Sequence, residues 1–97
     1  PLERSAYDEV RIDLMNRRGY ADTMTTFDDP RTSVVYDEWA DLYIVTAIIT
    51  SKHPDLAQNT KESPTGEIKV IVRLTPAYNT PFSRPYWITG SYSFRKP

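Results

Sequence analysis

The run Leu42 to Ile49 (LYIVTAII) is apolar along both faces of an extended chain: Leu42, Ile44 and Ile48 on one, Tyr43, Val45, Ala47 and Ile49 on the other. Its β-branched and aromatic content favours a strand over a helix. A strand apolar on both sides sits inside a sheet and is covered above and below. Flanking strands must therefore come from the remaining sequence, and the cover either from connectors folding back over the sheet or from a partner subunit.

Two later segments alternate as strands do. EIKVIVRLTP sets Ile68, Val70, Val72 and Leu74 on one face, with Lys69, Ile71 and Arg73 on the other. PYWITGSYSFRKP sets Tyr86, Ile88, Tyr92 and Phe94 opposite Trp87, Thr89, Ser91, Ser93 and Arg95. The stretch from Ser33 to Trp39 has the same character. Four strands are expected, near 33–39, 41–51, 67–75 and 86–95, paired mainly antiparallel because consecutive strands tend to be neighbours. Between the last two, TPAYNTPFSRP holds Pro76, Pro81 and Pro85, which lack ladder donors and favour an extended connector.

The N-terminal LERSAYDEVRIDLMNRRG places Leu2, Ala6, Tyr7, Val10 and Leu14 on one helical stripe. Acids come early, Arg17 and Arg18 fall in the last turn, and Gly19 supplies the stop. A helix is expected over 3–18. The competing strand reading rests on the alternation of Val10, Ile12 and Leu14, and Ile12 and Met15 fall off the stripe. Residues 20–33 mix Thr, Asp and Pro30 without a period and read as a connector pinned by Tyr20, Met24 and Phe27. The expectation is a single α+β domain over 1–97: one helix packed on a small, mainly antiparallel sheet with a long hairpin loop and a proline-rich connector. Ninety-seven residues leave room for one small core.

The hairpin loop, about residues 51–66, holds the chain's only histidine, His53. The triplet His53-Pro54-Asp55 resembles the signature of J-domain co-chaperones. Such a domain requires a basic amphipathic helix before the triplet and a partner helix after it. Here LYIVTAIIT precedes it without a Lys or Arg, and a strand follows, so the likeness ends with the triplet. His53 is expected to be exposed and dispensable for stability, and the loop to act, if it acts, as an arm touching a neighbour.

Catalytic signatures are absent. The chain has no cysteine, no nucleophile-elbow pattern, no phosphate-cradling glycine loop and no calcium-loop spacing. The acidic groups Asp28–Asp29 and Asp37, Glu38, Asp41 read as solvated connectors, so neither enzyme activity nor a metal or cofactor is expected. Lack of cysteine mildly favours a reducing compartment. No apolar run of membrane-span length and no signal peptide is visible, so a soluble protein is expected.

Charge is divided along the chain. Residues 1–60 carry eleven acids and six bases, whereas residues 61–97 carry six bases and two acids. The split suits head-to-tail contact with a second copy or a polar partner, unless folding mixes the halves. Apolar side chains in excess of one small core add to this. Trp39, Ile71, Tyr78, Phe82 and Trp87, with Arg73, Arg84 and Arg95, are the candidate partner-binding residues. Small β-rich subunits with a lead helix, a long loop and extended arms are similar in style to viral and phage particle components such as connector and tail-completion proteins. The expected function is non-enzymatic assembly or protein–protein interaction. The alternative is single-stranded nucleic-acid binding by the basic and aromatic C-terminal half.

Overall fold

A computed structural model describes residues 2–51 and 66–97. The expectations for His53 and its loop fall outside the described residues. The chain forms a helix, α1 (Leu2–Ile12), prolonged by a wider π turn over Asp13–Arg17. Five strands follow: β1 (Ala21–Met24), β2 (Ser33–Asp37), β3 (Leu42–Ser51), β4 (Glu67–Ala77) and β5 (Tyr86–Arg95). All pairings are antiparallel. β3 and β4 are central and β5 is one edge; β1 and β2 lie end to end along the other, β2 against Leu42 to Thr46 and β1 against Ile49 to Ser51. The fold is thus α+β with an N-terminal helix on an antiparallel sheet, of five strands rather than about four.

The additional strand, β1, has no alternation to betray it. A bulge at Asp22 shifts its register, so the inward residues Ala21 and Met24 stand three apart instead of two.

The helical stripe is Ala6, Tyr7, Val10, Asp13 and Leu14, all buried. It packs on the sheet face formed by Tyr43, Val45, Ala47 and Ile49 of β3 and Ile68, Val70, Val72 and Leu74 of β4. Ile12, which the sequence sets off the stripe, is exposed. The helix ends where Gly19 takes φ +63°, a conformation cheap only for glycine, and the Tyr20 N–H bonds back to the Leu14 carbonyl at 2.7 Å. Pro76 lies on β4 past its last partner in β3, opposite Trp87, where it has a strand on one side only.

One expectation about β5 is corrected. Between the pairs Val72↔Tyr92 and Leu74↔Thr89, β5 has two residues, Gly90 and Ser91, opposite the single Arg73. This bulge reverses the inward–outward phase. Tyr92 and Phe94 point to the core as expected, but at the other end of the strand it is Trp87 that packs against the core while Tyr86 and Ile88 turn outward and are half exposed. Gly90 is required there because a Cβ would lie 3.0 Å from the Arg73 carbonyl oxygen.

Candidate interaction surface

The sheet has an outer face, turned away from α1. Its cross-strand rows are Ser33, Thr46, Ile71 and Ser93; Val35, Ile44 and Arg73; then Asp37 and Leu42. Past the bulge, Thr75 with Ile88 and Ala77 with Tyr86 continue it. Val35 and Ile88 each retain 54% of their accessible surface, and Ile44, Ile71 and Leu42 are partly exposed. At one end the 25–32 connector folds toward this face: the Arg31 guanidinium reaches Glu67 at 3.1 Å, and both line a cavity of about 230 Å³ together with the buried Ile48. Elsewhere the apolar surface lies open among the described residues.

Cations frame this face. Lys69 and Arg95 form a cross-strand pair at one end, and Arg73 stands in the middle. Neither these nor Arg84 and Lys96 make an ion pair among the described residues, whereas Arg4, Arg17, Arg18 and Arg31 each do. Folding therefore leaves the division of charge in place. Residues 20–51, on the β1–β2–β3 side, carry six acids against Arg31 alone; residues 66–97 carry five bases against Glu67 alone. An ion pair that links the two sides among the described residues, Arg31 to Glu67, joins the minority charge of each.

The β2–β3 turn is a built feature. An Asp37 carboxylate oxygen accepts the backbone N–H groups of Trp39 and Ala40 at 3.0 and 3.2 Å, an Asx turn. Asp41 closes it at φ +49°, a region that Asp tolerates better than most residues, and accepts the Tyr36 hydroxyl at 2.9 Å. That carboxylate, with burial adding to it, pushes the Tyr36 hydroxyl above the usual phenol value. Trp39, raised on this turn, is 94% exposed. At the same end of the sheet, on the opposite margin, a second turn is tied by Thr80 and Ser83 and carries Phe82, 97% exposed.

Of the eight candidate residues, Trp39, Tyr78, Phe82 and Arg84 gather at this end, exposed, while Ile71, Arg73 and Arg95 lie on the outer face. Trp87 belongs to neither group. Its ring meets Tyr43 edge-on at 5.3 Å and its indole N–H donates to Ser5 Oγ at 2.9 Å, which fixes the start of α1 to β5.

A buried polar cluster went unread in the sequence. Asp13 accepts hydrogen bonds from Arg18 Nε at 2.7 Å and from the Tyr92 hydroxyl, and the Arg18 guanidinium lies 4.4 Å above the Tyr92 ring centre. Burial pushes the Asp13 carboxyl up, but the Tyr92 and Arg18 hydrogen bonds and the charges of Arg18 and Arg17 outweigh it and hold it below the usual carboxylate value. Burial, then the bond to Asp13, drive the Tyr92 hydroxyl well above that of free phenol. The spacing Val10 to Asp13 to Leu14 was the available signal, since it puts a carboxylate on the core stripe. Each member has a partner, and the cluster joins the π turn to β5. No group of residues suited to a metal ion occurs among the described residues. No helix there is long and apolar enough to cross a membrane.

No family model matches the chain, no curated protein is similar to it, and no solved structure matches it.

Proposed function

We propose that the chain is a non-enzymatic protein–protein interaction module, a structural subunit of a larger assembly that docks through the outer face of its sheet. The observation that carries this is the open apolar patch of Val35, Ile44, Ile71 and Ile88 on strands whose other face already holds the core. Covering a half-exposed Val or Ile gains about 1 kcal/mol each. The cationic frame supplies the polar rim that such patches carry. The connector-like character suggested by the sequence fits a small subunit with one closed face and one open face.

Sedimentation of the purified chain, alone and in extract of its source, tests this. The wild type gains mass over 11.2 kDa in at least one of the two, and Ile71→Glu/Ile88→Glu, folded by circular dichroism, gains none. A wild type that stays monomeric in both conditions overturns the reading.

A second reading, single-stranded nucleic-acid binding, is favoured by Lys69, Arg73 and Arg95, which make no ion pair among the described residues and lie on the same sheet face as the exposed Tyr86. It requires binding of an oligo-dT strand that weakens steeply with salt.

A further inference from the structure

The Trp39 turn and the outer face have complementary designs. Trp39 projects almost wholly into solvent from a turn whose carboxylates are Asp37, Glu38 and Asp41. The turn is held by the two bonds to Asp37 and the Tyr36 bond to Asp41, so the indole is presented from a fixed base. An aromatic anchor that is already positioned loses little freedom on binding. The outer face is the inverse: Ile71 stands between the Lys69–Arg95 pair and Arg73, and Ile88 and Tyr86 continue the apolar strip beyond Arg73, with none of the three cations in an ion pair among the described residues. One molecule thus carries an apolar knob flanked by acids and an apolar strip flanked by bases, and it does not bring them together, because Trp39 is exposed in its own copy.

We infer that the partner is a second copy of this chain, and that the Trp39 turn of one copy docks on the β4–β5 part of the outer face of the next. This rests on the docking role proposed for that face and adds its occupant. Tryptophan and arginine are the residue types most often found at the energetic centre of interfaces. The contact joins two different surfaces, so each copy keeps a free turn at one end and a free patch at the other, and association propagates. Phe82 is excluded as the knob by charge: it is equally exposed, but residues 77–85 contain Arg84 and no carboxylate.

Two variants read the contact separately. Trp39→Ala/Glu38→Lys removes the knob, and Ile71→Glu/Ile88→Glu removes the patch. At about 50 mM salt and a concentration of roughly 200 µM the wild type sediments above a dimer, and more slowly as salt rises. Each variant alone sediments at 11.2 kDa, and an equimolar mixture stops at twice that mass, because one intact turn meets one intact patch. Phe82→Ala keeps the wild-type mass. A knob variant that associates as the wild type does, while the patch variant does not, overturns the assignment of Trp39 and leaves the docking face standing. A wild type monomeric under these conditions overturns self-association. A monomer that binds oligo-dT through Lys69, Arg73 and Arg95 overturns it too and transfers the basic face to nucleic acid.

Discussion

Replacing Asp13 by Ala removes the acceptor shared by Arg18 and Tyr92. The Asp13 side chain is 9% exposed, so its partners regain little water where it stood. Each hydrogen bond to a charged group contributes about 1.5–3 kcal/mol, and breaking a buried charged pair costs about 3–5 kcal/mol. Arg18 is itself 40% exposed along its side chain and recovers part of its hydration, which places Asp13→Ala near the lower end, about 3 kcal/mol. For a domain this size that lowers Tm by roughly 12–24 °C. Tyr92→Phe, which removes one donor and leaves the carboxylate on Arg18, costs about 1.5–2 kcal/mol. The sign of the pH dependence follows from the lowered Asp13 pKa in the folded state. Its contribution is complete above the unfolded value near 3.9 and is lost as pH falls through the folded value. The wild type therefore loses stability below about pH 4, and Asp13→Ala loses less over the same interval. Urea denaturation at pH 7 and at several values below 4 measures both. An Asp13→Ala variant within about 0.5 kcal/mol of wild type at pH 7 would refute the buried cluster.

Other outcomes follow from the fold. Gly90→Ala forces a Cβ to 3.0 Å from the Arg73 carbonyl and destabilises by about 1 kcal/mol after the gain in unfolded-state entropy, with Gly90→Val worse; urea midpoints decide it. The two tryptophans are opposite in environment, so Trp39→Phe leaves a blue-shifted, iodide-resistant emission from Trp87, whereas Trp87→Phe leaves a red-shifted and readily quenched one. Trp87→Ala costs about 3–4 kcal/mol through lost packing and the Ser5 bond, while Trp39→Ala changes stability by less than about 0.5 kcal/mol.

Legibility from the sequence follows physical regularity. β3 is legible from its β-branched run apolar on both faces and β4 from its unbroken alternation, while the stripe and terminal Gly19 favour the helix over the strand that Val10, Ile12 and Leu14 also allow. The strand β1 was hidden by the bulge at Asp22, which spaces its buried residues as no strand template does. The bulge at Gly90 hid something more consequential, for it exchanged Trp87 for Tyr86 and Ile88 on the open face. A lone glycine within an alternating strand was the clue, and its effect on phase depends on a partner strand that sequence alone does not align. Trp39 and Phe82 were singled out as surplus aromatics, but the rigid turn beneath Trp39 rests on Asp41 at φ +49° and on side-chain bonds between residues of mixed polarity, for which no periodicity exists. The charge division was countable from the start. Whether folding would cancel it depended on which side chains meet, and among the described residues Arg31 and Glu67 do so across the two sides while Lys69, Arg73 and Arg95 make no ion pair.

Hydroxyl-radical footprinting at about 1 µM and about 200 µM, at low salt, tests the central claim most directly. If the Trp39 turn seats on the outer face of a second copy, then Trp39, Tyr86, Ile71 and Ile88 become protected at the higher concentration while Phe82, equally exposed in the single chain, stays reactive. Equal reactivity of Trp39 and Ile88 at the two concentrations would contradict it.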